Sequence, residues 1–340
     1  MRSGAPPPLE CEVAAVAVAL RDSPRLRQAL ASTRRAAGGR DLATVCVIND
    51  PSAVGWGEED GVRFVGAGMN LGWAAGVHAG LIGVRSDYVW AIQDDLTVGA
   101  DALDRLAAAL EADPGLGSVR PISVDEQGRV DEGTCGGSVD DAGRWSAPIP
   151  RRSIPASSAA TLPVGGYLPS SGQLIRRRAW DAVGGFDPWF YPWGYIDIDF
   201  GRTLTRGGWR FAHVASAHMR HATRGSTTAL FRWLCSARNQ ALFAAKWADE
   251  GAGPSAMPSI APASAIIASA REGRARPREV DLDALRQIAG VAAADLGVAA
   301  MRWSSLSAMG RAARLAATDA PTRRATAAKF GRAARRAARR

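Results

Sequence analysis

A chain of 340 residues, 47% hydrophobic and 22% charged, has the composition of a globular protein and can bury one large core with an appendage. Its net charge of +9 is unevenly placed, because residues 301–340 hold eleven Lys or Arg against one Asp and residues 1–300 sum to −1. A near-neutral body argues against a nucleic-acid-binding face there, and four scattered cysteines without a C-x-x-C pair argue against structural zinc or a disulfide framework. Cys11, Cys46, Cys135 and Cys235 read instead as the reduced thiols of a cytoplasmic protein.

Val13–Leu20 is the first apolar run. It is too short to span a bilayer, and Glu10 and Glu12 precede it where a secretion signal carries positive charge, so it reads as a buried strand. Asp22-Ser23-Pro24 then caps a helix to about Thr33, with Leu26 and Leu30 inward. Thr44–Ile48 is a second strand ending in Asn49-Asp50, and Val62–Val65 a third, followed by a glycine-rich turn and a helix over Ala74–Val84. Asp87–Ile92 is a fourth strand running into Gln93-Asp94-Asp95, and Ala100–Ala112 is a helix with Leu103, Leu106 and Leu110 on one face. Strands alternating with helices predict a mostly parallel sheet covered on both sides, whose ligands bind at the carboxyl ends of the strands. Asp22, Asp50, Asp94 and Asp95 all fall at such ends.

Beyond Asp113 the pattern changes. Ser118–Val124, Gly128–Val130, Gln173–Ile175 and Trp209–Ala215 read as strands, Arg178–Val183 and Leu230–Trp247 as helices, and Arg151–Thr161 as a mobile segment. Ala252–Pro277 is rich in Pro, Ala and Ser, the composition of a linker. The glycines of Gly66–Gly80 have the wrong spacing and place for a dinucleotide fingerprint. They serve equally well to bring backbone near a nucleotide or to pack a helix closely. Gly184–Arg206 gathers Trp189, Phe190, Tyr191, Trp193 and Tyr195 beside Asp197 and Asp199. Alone, those aspartates read as a helix N-terminus, with Asp199 paired to Arg202. Beside the acidic strand ends they read as a site, since carboxylates take a proton from a hydroxyl or hold a hard cation.

Taken together, VINDPS, GMNLGWAAGVHAG, WAIQDDLTVGADAL, SSGQLIRRRAWDAVGGFDPWFYPWGYIDIDFGRTL, SAHMRHATRGST and SARNQALF stand in an order that resembles the inverting family 2 glycosyltransferases, with the look of bacterial rhamnosyl- and galactofuranosyl-type members. The resemblance covers residues 12–245. It implies the GT-A fold, a Rossmann-like three-layer α/β/α arrangement with a mostly parallel sheet. Its nucleotide-sugar half is expected over 12–113 and its acceptor half over 114–248, followed by a linker at 249–278 and a helical Ala/Arg-rich extension at 279–340. It implies transfer of a sugar, with inversion, from a nucleoside-diphosphate sugar such as dTDP-rhamnose or a UDP-sugar to a hydroxyl of a glycan or lipid-linked acceptor.

By the same resemblance Asp197 is the general base, and Asp95 with His221 holds Mg²⁺ or Mn²⁺ against the diphosphate. Asp22, Asn49, Asp50, Asn70 and Asp94 would line the nucleotide-sugar side, and Asp187, Trp193 and Asp199 the acceptor side. His218 is the rival of His221, His213 reads as a satisfied core histidine, and His78 carries no chemistry. Three positions depart from the family pattern: Gln93 replaces the first aspartate of Asp-x-Asp, Ile196 replaces the acid before the base, and Asn49-Asp50 reverses the usual order. Gln93 and Ile196 leave open a non-catalytic nucleotide-sugar or glycan-binding relative. A nucleotidyltransferase would need a basic glycine-rich loop at Ala19–Asp22, which is absent. The basic segment Ala327–Arg340 reads either as a helix lying on anionic lipid at the inner face of a membrane or as a solvated end.

Overall fold

The computed structural model describes residues 1–3, 6–68, 70–131, 135–139, 145–148, 161–163, 166–190, 192–222, 239–240, 243 and 246–247. Tyr191, the side chain of Trp189, nearly all of the 151–161 segment, most of the 230–247 helix, the linker and the basic extension lie outside the described residues.

The centre is a parallel array. Strand β1 (Leu9–Ala19) lies between β2 (Leu42–Ile48) and β5 (Val84–Gln93), and β2 pairs onward with β4 (Val62–Ala67). Period-two alternation gives β1 two buried faces: Ala14, Val16 and Val18 point to one side, Val13, Ala15, Ala17 and Ala19 to the other. Helices α1 (Pro24–Arg35) and α3 (Ala102–Ala112) cover the second side through Leu26, Leu30, Leu103, Leu106 and Leu110. Helices α2 (Gly72–Gly80), α4 (Arg177–Val183) and α5 (Ile196–Arg206) cover the first, completing three layers. Ser23 caps α1 as expected, its hydroxyl accepting from Leu26 N at 3.1 Å.

The sheet has ten strands in the order β10-β12-β7-β11-β5-β1-β2-β4-β3, with β6 also on β12. Strands β7 (Leu116–Ser123) and β12 (Arg210–His221) are parallel to each other, and β11 (Leu174–Arg176) enters antiparallel between β7 and β5. The carboxyl ends of β1, β2, β4, β5, β7 and β12 therefore share one edge. A short β10 (Thr161–Pro163) borders β12, and β8 (Gly137–Val139) with β9 (Trp145–Pro148) makes a separate ribbon.

Several elements differ from expectation. Strand β3 (Val54–Glu59), unforeseen, folds antiparallel on β4 through Asp60 and Gly61, whose φ of 51° and 70° give the hairpin turn that Asp-Gly favours. Helix α2 stops at Gly80, because Gly83 takes φ 72° and Val84 already opens β5. A side chain at Gly76 or Gly80 would collide with Val18 or Val16, so these glycines serve close helix–sheet packing. The proposed strand at Gly128–Val130 is only a bridge from Val130 to Val124, and β6 (Leu96–Val98) pairs with the last three residues of β12. Strand β12 runs six residues beyond Ala215, past an irregularity in its pairing with β7 between Val214 and His218.

Candidate active site

The acidic edge begins where β5 ends. Asp94 and Asp95 turn the chain into β6, and the β6–β12 pairing brings His221 opposite Leu96. Alternation along the end of β12 decides between the two histidines: Ala217 and Met219 are buried, while His218 and Arg220 are exposed. His221 falls on the inward side, with Nε2 3.2 Å from Asp95 Oδ1, and Arg25 reaches Asp95 Oδ2 at 3.6 Å from the first turn of α1. Burial and the neighbouring Asp95 raise the pKa of Asp94, against the pull of Arg25 and His221.

Asp95 Oδ1 and His221 Nδ1 are buried without hydrogen-bond partners. Among the described residues no group of three His, Cys, Asp or Glu stands together as a complete ligand set. The donor set is one of carboxylate oxygens and an imidazole nitrogen. It fits a divalent cation that takes its remaining ligands from a diphosphate, as Mg²⁺ and Mn²⁺ sites commonly do.

The residues expected on the nucleotide side serve mostly to fix backbone. Asn49 is buried, its Oδ1 accepting from Leu71 N and its Nδ2 donating to Gly72 O, both at 3.2 Å. Asn70 Oδ1 accepts from Gly72 N at 2.8 Å, and Trp73 N donates to Pro192 O at 2.8 Å. The N–H groups of Leu71, Gly72 and Trp73 are thus satisfied, which ties this end of α2 to the loop ahead of α5. Asp50 is half-buried and accepts from Ser52 N and Oγ, which holds its carboxyl below the usual range. Asp22 takes a two-pronged bond from Arg27 at 2.6 and 2.9 Å, which lowers its pKa likewise.

Asp197 and Asp199 sit in the first turn of α5, directly after Tyr195, whose φ of 63° places a bulky residue in the left-handed region. Two residues apart, they face different surroundings. Burial pushes Asp197 up to about 6, against the N–H groups of Ile198 and Ser170 and the charge of Arg120. Its Oδ1 accepts from Ile198 N at 3.1 Å. Asp199, only 2% exposed, accepts from Lys246 Nζ at 2.7 Å and from the Trp247 indole at 2.9 Å. The lysine, rather than Arg202, is its ionic partner. Lys246 also donates to Asp187 at 2.8 Å; burial disfavours its charge, but the two carboxylates outweigh that and lift its pKa above the ordinary lysine range.

Asn239 holds the preceding loop, donating from Nδ2 to the carbonyls of Phe190, Trp193 and Gly194. Trp193 is half-buried against the core beside it. His213 is a core histidine but only half satisfied: Nε2 lies 2.7 Å from Cys135 O while Nδ1 is buried without a hydrogen-bond partner, and burial lowers its pKa to about 4, which keeps it neutral. His78, assigned no chemistry, places Nε2 2.8 Å from Phe186 O.

Arg25, Arg120, Asn239 and Lys246 were not singled out from the sequence. Asn239, Phe243, Lys246 and Trp247 recur at one-face helical spacing, a signal that could have found two of them. Arg120, an arginine inside an apolar strand, was legible as an anomaly.

The fold is that of the GT-A glycosyltransferases. No family model matches the chain. Two curated proteins, the N-acetylglucosaminyl-diphospho-decaprenol L-rhamnosyltransferases of two strains of Mycobacterium tuberculosis, are 28% identical to it over 190 residues, 49% of this chain and 60% of theirs. The chain thus spans about three-fifths of the length of the curated relatives it matches. A crystal structure of GalNAc-T7 with UDP, GalNAc and Mn²⁺ superposes with a TM-score of 0.52 at 12% identity, covering 71% of this chain and 48% of that one. That likeness concerns the fold alone. These findings bear out the resemblance to GT-A glycosyltransferases of the family 2 type. Among the described residues no helix is long and apolar enough to cross a membrane.

Proposed function

We propose that the protein is an inverting glycosyltransferase that moves a sugar from a nucleoside-diphosphate donor to an acceptor hydroxyl, with Asp197 as general base. The observation that carries this reading is Asp197 itself, a carboxyl lifted to about 6 by burial in the first turn of α5, with Asp94, Asp95 and His221 as the acidic group at the end of β5. A base with a pKa just below neutral is ionised at working pH and still basic enough to take a proton from an alcohol as it attacks. The acceptor oxygen approaches the anomeric carbon from the side of Asp197 and the diphosphate leaves on the other, which inverts the anomeric configuration.

Asp95 and His221 would hold a divalent cation, with Asp94 and Arg25 beside them. When bound, that cation supplies neutralisation of the leaving diphosphate. The likeness to a decaprenol-linked rhamnosyltransferase supports dTDP-rhamnose, with a UDP-sugar as the second candidate, and a lipid-linked or polysaccharide acceptor. The +10 balance of residues 301–340 supports peripheral attachment to an anionic membrane where such an acceptor resides.

The test is a panel of nucleotide sugars read by thermal shift with and without Mn²⁺, followed by a transfer assay on the donor that binds. A donor that stabilises the protein only with Mn²⁺ and is turned over is the expected result. Binding without hydrolysis or transfer would identify a non-catalytic relative instead.

A further inference from the structure

Helix α1 opens with basic side chains where a helix start favours acidic ones. Its first turn holds Arg25 and Arg27 and no Asp or Glu, although the helix macrodipole disfavours positive charge at that end. Arg27 has a structural account: it holds Asp22 through two bonds and Glu59 at 3.0 Å, and it lies over the Phe64 ring. Arg25 is directed elsewhere. Its Nη2 lies 3.6 Å from Asp95 Oδ2, an ion pair longer than a hydrogen bond, and its side chain is 39% exposed. It therefore reaches Asp95 without being locked to it, on the carboxylate oxygen opposite the one that His221 approaches at 3.2 Å.

The charges at this edge are mixed. Gln93, Asp94 and Asp95 supply two carboxylates, and Arg25 offsets half of their formal charge. A guanidinium on a carboxylate competes with a divalent cation for it, so as a cation site alone the arrangement works against itself. A diphosphate reverses that argument. It brings more negative charge than one divalent cation neutralises, and a guanidinium presents paired N–H donors that match phosphate oxygens. Asp95 Oδ1 and His221 Nδ1, buried without hydrogen-bond partners, lie at the same place.

We propose that Arg25 is a diphosphate-binding residue that exchanges partners: it rests on Asp95 Oδ2, and it turns to the oxygens of the donor diphosphate when a divalent cation takes that carboxylate. The inference rests on the reading of Asp95 and His221 as cation ligands for a nucleoside-diphosphate donor. It accounts for a cation at an unfavourable helix position, for its loose pairing and for its exposure. With Gln93 in place of a carboxylate, part of the neutralisation of the diphosphate falls to a side chain.

The experiment is calorimetric titration of the full chain with Mn²⁺ alone, and with dTDP and UDP at saturating Mn²⁺, in the unmutated protein, Arg25→Gln and Arg25→Lys. Arg25→Gln is expected to bind Mn²⁺ alone about threefold more tightly, as removal of a partly exposed competing charge does. It should bind the preferred nucleoside diphosphate about tenfold more weakly, the worth of a charge-assisted hydrogen bond. That weakening should shrink for the matching monophosphate, and Arg25→Lys should recover most of both effects. Arg25→Met keeps the apolar stem, should behave as Arg25→Gln does, and serves if the first variant does not fold.

The opposite signs are what distinguish the proposal. Damage to the fold would weaken both affinities, and a guanidinium that merely occupies Asp95 would tighten both on removal. Either pattern overturns the proposal, as does an unchanged diphosphate affinity. Normal binding of Mn²⁺ and diphosphate by the unmutated protein, with Arg25→Gln indistinguishable from it, refutes the role of Arg25 alone. An unmutated protein that binds neither refutes the cation-and-donor reading, and this inference falls with it.

Discussion

Two carboxylate clusters, one beneath α5 and one at the end of β5, are built to opposite standards. Beneath α5, Asp187 and Asp199 share Lys246, and the Trp247 indole supplies a further donor to Asp199. At the end of β5, Asp95 has the His221 ring at 3.2 Å and Arg25 at 3.6 Å but no hydrogen bond to its Oδ1, His221 Nδ1 is buried without a hydrogen-bond partner, and burial together with Asp95 raises the pKa of Asp94. Satisfied buried charges fasten elements together, whereas unsatisfied ones are stabilised only when something arrives. We read the contrast as a first cluster that holds α5 in place and a second that is proposed to meet ligand.

Asp197, on the same turn as Asp199 yet outside its ion pair, gives the largest expected effect. Asp197→Asn should lower turnover by about 10²–10⁴-fold with donor binding nearly intact, the usual worth of a positioned base. The same change should stabilise the fold at pH 7. Because the folded pKa of about 6 exceeds the unfolded value, ionising this group above pH 6 costs the native state up to about 3 kcal/mol, a cost that fades as pH falls toward 4. Chemical denaturation of both proteins at pH 7 and pH 4 would show whether the gain exists and fades in that direction.

Asp199→Ala should act on stability first. It leaves Lys246, 27% exposed, with one carboxylate instead of two and the buried Trp247 indole without its acceptor, and the loss is expected to be about 2 kcal/mol by urea unfolding. A change within experimental error would mean that the cluster does not fasten the helix. Asp95→Ala should do the reverse: a stability change under about 1 kcal/mol, together with loss of the Mn²⁺-dependent thermal shift. A large destabilisation there, with metal response preserved, would erase the distinction between the clusters. The smallest effect is the rate–pH profile, in which turnover should fall about tenfold per pH unit below about 6 as Asp197 takes up its proton. A rate indifferent to pH between 5 and 7 would exclude Asp197 as the titrating group.

The parallel core was legible because its signals are local. Val13–Leu20 and Thr44–Ile48 are unbroken apolar runs, and Ser23-Pro24 marks the start of α1. The hairpin β3–β4 was missed although Asp60-Gly61 announces it, since Val-Gly-Trp-Gly-Glu-Glu has neither the branched residues nor the clean alternation of a strand. Strand β6 is three residues long and exists only because β12 runs far enough to pair with it.

At the site, the aspartates could be marked but not their partners. Lys246 lies 47 positions from Asp199, and nothing local connects them. The choice between His218 and His221 depends on which face each takes after the irregularity in β12, a tertiary fact. Asn49 and Asn70 are expected on the nucleotide side because short polar side chains after strands can serve ligand or backbone, and in the structure their oxygens accept from the N–H groups of Leu71 and Gly72.

Helix α2 has a bearing on how such a protein can change over generations. Its first turn is bonded to Asn49 and Asn70 on one side and to Pro192 on the other, and His78 near its last turn meets Phe186 O. The segments on either side of it are therefore not separable modules. A substitution that moves residues 70–72 is expected also to bear on the carbonyl of Pro192 and the loop that leads into Asp197. Substitutions on the two sides of this helix would then be expected to accumulate together rather than independently.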